Sequence, residues 1–390
     1  MTHIERFNAI LDYKKPDKLP LFIPTMACSV ASEILGYPAI TGGESIHYKE
    51  QKARFEGECA FREFEDCYYH DTFKLAKALN VDIVRDTWRK SRTPVEMPDE
   101  YTMKFNDGGP ISIAKYFPKT ESYGYIRDDA SPDDPNVFIK LIERELETMT
   151  SREELEQWEN SPQFEDDMLS QNRGVLKITE LANDEYPVIA GGAGFGFLPD
   201  NVGWLQATVM YPEILEPYFI RKAEASLPRI RWMAKRGYRL LTGGLDLAGN
   251  TDVVFSPKTF ERLLAPAYKI VSDECKRLGV TYTFGSDGNY MKIADIIFKD
   301  IGINACVETE QAAGMEVGVL RKKYPDLIVV GAINSGTLHR GTTDDVRKEV
   351  RQSLEESEGV QYIPGPSNAV MPGTPVENIY AMIEEIDDFR

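Results

Sequence analysis

Eight short apolar runs recur along the chain: residues 19–25 (LPLFIPT), 81–87 (VDIVRDT), 187–193 (PVIAGGA), 238–246 (YRLLTGGLD), 280–287 (VTYTFGSD), 303–309 (INACVET), 326–333 (DLIVVGAI) and 360–365 (VQYIPG). Runs of this kind suit strands buried on both faces, as in a parallel sheet. The segments between them carry helix signals. Ser256 stands as an N-cap with Pro257 at the first helical position, and Pro266 splits the helical run that follows. Thr374 and Glu377 have capping-box spacing around Pro375, and Ile379, Met382, Ile383 and Ile386 then share one helix face. Alternation of strand and helix predicts βα units.

Two stretches interrupt the alternation. Residues 94–129 show a strand-like period and an Asn-Asp-Gly-Gly turn, which predicts an inserted hairpin. Residues 136–180 are polar and helical, with Ser151 and Glu154 in capping positions. No linker and no repeat of fixed period divides the chain. The predicted fold is α/β: one (β/α)8 TIM barrel over residues 1–390, with an N-terminal helical extension and an insertion at about 94–180.

Composition narrows the function. The chain is 42% hydrophobic and 28% charged, which argues for a folded core. A net charge of -18 argues against a duplex nucleic-acid partner, since phosphate neutralisation needs a basic face. No apolar run approaches the roughly 20 residues of a membrane span. Cys28, Cys59, Cys67, Cys275 and Cys306 are scattered, odd in number and form no CxxC, which predicts a reduced, cytoplasmic setting.

In a (β/α)8 barrel the chemistry sits at the carboxyl ends of the strands. There the sequence places Asp246, the turn Gly285-Ser286-Asp287-Gly288-Asn289, Glu308, Glu310 and Asn334. Acids and amides arriving from several strand ends are what a barrel enzyme needs. Arg85, Arg89, Lys90 and Arg92 follow the second run and stand out in an acidic chain as a site for a substrate carboxylate. The glycine run 191–196 (GGAGFG) lacks the full phosphate-loop spacing and predicts a close backbone approach instead.

The segments DLAGNTDVVFSPKTFERLLAPAYKIV, GSDGNY, VETEQAAGME, GAINSGTLHRGTTDDVRKEV and PGTPVENIYAMI, in this order, resemble the uroporphyrinogen decarboxylase superfamily. The resemblance is dense from about Asp246 to the C-terminus. It implies a (β/α)8 barrel and one of two chemistries, porphyrinogen decarboxylation or corrinoid-dependent methyl transfer. Decarboxylases of the family carry an arginine-rich loop after the first strand; here that loop reads TMACSVASEILG and has no Arg to hold a polyanion. Thiol-methylating members carry a zinc-binding His-x-Cys after the fifth strand and a further Cys after the eighth. Here those places read Gly285-Ser286-Asp287 and GPSNAVMP, without Cys or His.

The resemblance therefore implies the methyltransferase branch acting on the donor side. The expected reaction moves a methyl group from a methoxylated aromatic or similar O- or N-methyl donor to the cobalt of a corrinoid held by a partner protein. The alternatives are a carboxy-lyase without a corrinoid and a non-catalytic ligand-binding homologue. The candidate catalytic residues are Asp287, Glu310 and Asp246; those for substrate are Arg85, Arg89, Asn289, Asn334 and Asn368. Asp287 and Glu310 are also the candidate metal ligands, should zinc or another cation bind without the usual His and Cys.

Overall fold

The computed structural model describes residues 1–89, 91–106, 111–128, 133–195 and 201–389, the side chains of residues 127 and 128 excepted. Its strands are β1 (Val84–Arg85), β2 (Glu96–Asp99), β3 (Thr102–Phe105), β4 (Ser112–Phe117), β5 (Ser122–Asp128), β6 (Val188–Ile189), β7 (Leu240–Gly244), β8 (Thr281–Gly285), β9 (Ala305–Val307), β10 (Ile328–Ile333) and β11 (Tyr362–Pro366). β7 to β11 form a five-stranded parallel sheet in sequence order, and β1 pairs in parallel with β6.

Single pairings join these pieces. Ala190 pairs with Leu241 and ties β6 to β7; Phe22 pairs with Ile83 and ties segment 21–26 to β1. The Phe22 N–H donates to the Pro364 carbonyl at 3.0 Å, and Met26 pairs with Val370, so the same segment also meets β11. The parallel pairings thus pass from residue 22 through β1, β6 and β7 to β11 and return to residue 22. All eight apolar runs take part. Leu240, Phe284, Ala305, Ile328, Val329 and Ile363 are fully buried, as continuous apolar strands require.

The helices between strands follow their local signals. Ser256 accepts from the Thr259 N–H, and the run splits into helices Pro257–Leu263 and Ala265–Arg277 at the predicted proline. Ser151 and Glu154 form a capping box. The capping box expected at Thr374 is absent: Pro375 is the N-cap of helix Val376–Asp388 and has no side-chain oxygen to offer. At the amino-end side, the buried Asp82 carboxylate takes hydrogen bonds from His3 Nδ1 (2.8 Å), Arg6 Nη1 (3.1 Å) and the Leu21 N–H (2.9 Å). One acid thereby pins the N-terminal helix His3–Leu11 to the start of β1.

Residues 96–128 make a four-stranded antiparallel sheet in the order β2-β3-β4-β5, larger than a hairpin. Residues 107–109 of the Asn-Asp-Gly-Gly turn lie outside the described residues. Alternate residues Met103, Phe105, Ala114, Tyr116 and Tyr123 build a second small core with Tyr48 of helix Ser45–Glu56, whose ring stacks on Tyr116 at 4.3 Å. No helix among the described residues is long and apolar enough to cross a membrane.

Candidate active site

β8 ends at Gly285, and the turn that follows is fixed from both sides. The Leu245 N–H donates to the Gly285 carbonyl at 2.8 Å, and the buried Ser286 hydroxyl accepts from the Leu247 N–H at 3.0 Å. Gly288 has φ +76, and a Cβ there would lie 2.4 Å from the Gly249 carbonyl oxygen. Only glycine permits that backbone and that approach. The turn therefore presses against the loop after β7, and the Asp287 N–H reaches Asp246 Oδ1 at 3.2 Å.

Three carboxyl groups converge here. Asp246 follows β7, Asp287 follows β8 and Glu308 follows β9; each offers an oxygen, and those oxygens lie within 4.8 Å of one another. Glu308 holds a left-handed backbone (φ +62), an uncommon state for a residue with a Cβ. Its carboxylate lies over Gly285, where an added Cβ would come within 3.1 Å of Oε2. From the far side, the Asn368 amide after β11 donates to both Asp287 oxygens, at 2.8 and 3.0 Å.

Like charges this close cannot all ionise freely. Burial, then the Asp246 carboxylate, push Asp287 from 3.8 up to about 6, against the opposing Asn368 hydrogen bond. Burial, then Asp287, push Glu308 from 4.5 up to about 7, with Arg85 acting in the opposite direction. The cluster holds protons at a pH where ordinary carboxyls have lost them.

The other predicted residues are placed differently. Glu310 accepts from the Gly288 N–H at 3.2 Å and adds its charge to the field on Asp287, while Glu308 takes the inner position. Glu308 is the first residue beyond β9, and its left-handed backbone, which no sequence pattern announces, distinguishes it from Glu310. Asn289 clamps backbone, donating to the Ala313 carbonyl at 2.7 Å and accepting from the Met291 N–H at 3.1 Å. Asn334 caps helix Ser335–Arg340. Arg89 is engaged with Glu50 (3.1 Å) and Asp86 (2.8 Å) and lies over the Tyr68 ring. Arg85 makes no ion pair among the described residues; its Nε donates to the Asp86 carbonyl at 3.4 Å. Lys90 and Gly196 lie outside the described residues. In the glycine run, a Cβ on Gly192 would lie 2.0 Å from Arg229 Nη1, so a protein guanidinium takes the close approach.

The donor set bears on zinc. The cluster is all carboxylate, with no thiolate or imidazole, and the cysteines are all free. Zinc sites of thiol-activating chemistry rest on sulfur and nitrogen, whereas oxygen-only sets suit harder cations. These residues do not fit a zinc of that kind.

Comparison with known proteins agrees with this layout. Residues 240–389 match the sequence model of the uroporphyrinogen decarboxylase (URO-D) family. No curated protein sequence matches the chain. Among solved structures, a methyltransferase from Methanosarcina mazei shares the fold with a TM-score of 0.67 and 16% identity, over 100% of this chain and 99% of that one. A protein described as a candidate vitamin-B12-independent methionine synthase from Listeria monocytogenes gives a TM-score of 0.50 and 14% identity, over 96% and 99%. The residues that match the family model supply Asp246, Asp287, Glu308 and Asn368, and the fold of the whole chain resembles that of the methyltransferase.

Proposed function

We propose that this chain is a methyltransferase that takes a methyl group from a small O- or N-methyl donor and delivers it to the cobalt of a corrinoid carried by a partner protein. The proposal takes the ring of parallel pairings as a (β/α)8 barrel with its mouth at the carboxyl ends. One observation carries it: three carboxyl groups from three successive strand ends meet at that mouth. Asp246 is exposed, which leaves the mouth open to a partner.

The corrinoid supplies the nucleophile that accepts the methyl carbon. The chain's own residues manage the leaving group. As the methyl carbon departs, the bonding pair stays on the donor oxygen, and the Asp287 carboxyl gives its proton to that oxygen. Asn368 then steadies the resulting carboxylate with its two hydrogen bonds. Burial, then the charges of Asp246 and Glu310, favour the protonated form of Asp287 until the step. General acid assistance of this kind contributes roughly 10²–10⁴-fold. The fold resemblance to a methyltransferase supports the reaction type. The test is a corrinoid absorbance assay with a reduced corrinoid protein and a panel of methoxylated donors. Wild-type chain should change the corrinoid spectrum with at least one donor; no change with any of them would defeat the proposal.

A further inference from the structure

A second set of polar groups lies beside β1, away from the acid cluster. A cavity of about 50 Å³ sits between segment 21–26, β1 and helix Glu58–Ala78. Most of its wall is apolar, including Ile23, Met26, Leu75 and Ile83. Arg85, Thr25 and Thr72 are among the residues that line it. Both Thr25 Oγ1 and Thr72 Oγ1 are buried without a hydrogen-bond partner. A buried hydroxyl left unpaired is costly, so two such groups on residues lining one cavity call for an occupant.

The chemistry of the occupant follows from the lining. Arg85 brings a full positive charge with no ion pair among the described residues. No Asp or Glu lines the cavity. Two hydroxyls and a guanidinium in apolar walls suit an anion, and the planar guanidinium matches a carboxylate. The space holds a few water-sized groups, enough for one carboxylate. The Arg85 charge also acts on Glu308, lowering its pKa against the effect of burial.

We infer that this cavity receives a carboxylate of the methyl donor, held by Arg85, Thr25 and Thr72, so that the substrates are carboxylated methyl donors. The inference rests on the methyl-transfer reading for the word donor, though the anion site itself does not. Of the two arginines expected to meet substrate, Arg85 takes that role and Arg89 serves the scaffold.

The test uses benzoate as a binding probe, read by calorimetry on the full chain, and compares 4-methoxybenzoate with methoxybenzene as donors. Benzoate should bind the wild type, and Arg85→Gln should weaken it by roughly tenfold or more, the scale of one lost charge-assisted hydrogen bond. Thr72→Val should weaken it by a smaller factor, and it decides the matter if Arg85→Gln fails to fold. The preference in kcat/KM for 4-methoxybenzoate over methoxybenzene should fall in parallel. Equal benzoate affinity in wild type and both variants, or no benzoate binding to the wild type, overturns the inference. Benzoate binding that depends on Arg85 with no donor turned over sinks the methyl-transfer reading and leaves the anion site standing.

Discussion

Two charged clusters of the molecule are built on opposite plans. Around Arg89, signs alternate. Glu50 is 1% exposed and meets Arg54 at 2.7 Å and Arg89 at 3.1 Å; Arg89 in turn meets Asp86 at 2.8 Å. Every buried charge faces its opposite. Around Asp287, three carboxylates face one another, and the counterweights are an amide and the more distant Arg85. The first cluster needs nothing more. The second is held in a state it would relax from if it could, and strand ends and backbone hold it there. Matched charges fix a scaffold, whereas mismatched ones hold a proton ready, which is why perturbed acids gather at functional sites.

The largest effect should come from breaking the matched cluster. Arg89→Ala leaves Asp86 without its guanidinium and the buried Glu50 with that of Arg54 alone, and should cost about 3–5 kcal/mol of stability. The measurement is the urea midpoint at pH 7. A loss below about 1 kcal/mol would show that the cluster is solvated and that the contrast is false.

Asp287→Asn tests the mismatched cluster and should behave in the opposite way. The substitution keeps shape and removes charge, so the fold should survive with a melting temperature at pH 8 no lower than that of wild type. Turnover should fall by at least about tenfold through loss of one acid–base group. A destabilised but active protein would reverse the assignment of the two clusters.

pH sharpens the comparison further. Asp287 and Glu308 are raised in the folded state, from 3.8 to about 6 and from 4.5 to about 7. A raised carboxyl binds more protons folded than unfolded, so its contribution to stability is greatest below its unfolded value and is lost as pH climbs through the folded one. The window here runs from about 4 to about 7. Glu308→Gln should therefore melt above wild type at pH 8 and level with it at pH 4. An equal or lower melting temperature at pH 8 would mean that the cluster carries no strain.

The smallest effect belongs to Ser286→Ala. Its hydroxyl is buried, accepts from Leu247 and donates to the Asp287 carbonyl at 2.8 Å. Its loss should cost about 1 kcal/mol of stability, with turnover close to wild type. A drop in turnover as large as that of Asp287→Asn would make the serine part of the chemistry.

Much of this architecture was legible in the sequence. All eight apolar runs enter the parallel pairings, because a strand buried on both faces must be apolar throughout. The caps at Ser151 and Ser256 read correctly because they act over three residues. Thr374 misled because Pro375 takes the cap position itself. At the site, Asp246, Asp287 and Asn368 were visible as polar groups just beyond strands. The choice between Glu308 and Glu310 was not, since it depends on the left-handed turn at Glu308. The division of labour between Arg85 and Arg89 was equally hidden. It is set by Glu50, 39 positions before Arg89 on helix Ser45–Glu56, and no local pattern announces that pairing. The two threonines at the Arg85 cavity carried no signal at all, for an unpartnered hydroxyl is a property of packing.

The most direct test of the mismatched cluster as the working acid is the pH dependence of methyl transfer. Wild type and Asp287→Asn would be assayed from pH 5 to pH 9 with a reduced corrinoid protein and a methoxylated donor. Wild-type turnover should fall as pH rises through about 6 to 7, where Asp287 and Glu308 lose their protons. Asp287→Asn should run at least about tenfold slower and lack that limb. A wild-type rate flat across the range, or an Asp287→Asn protein that keeps the same limb at the same rate, would contradict the account.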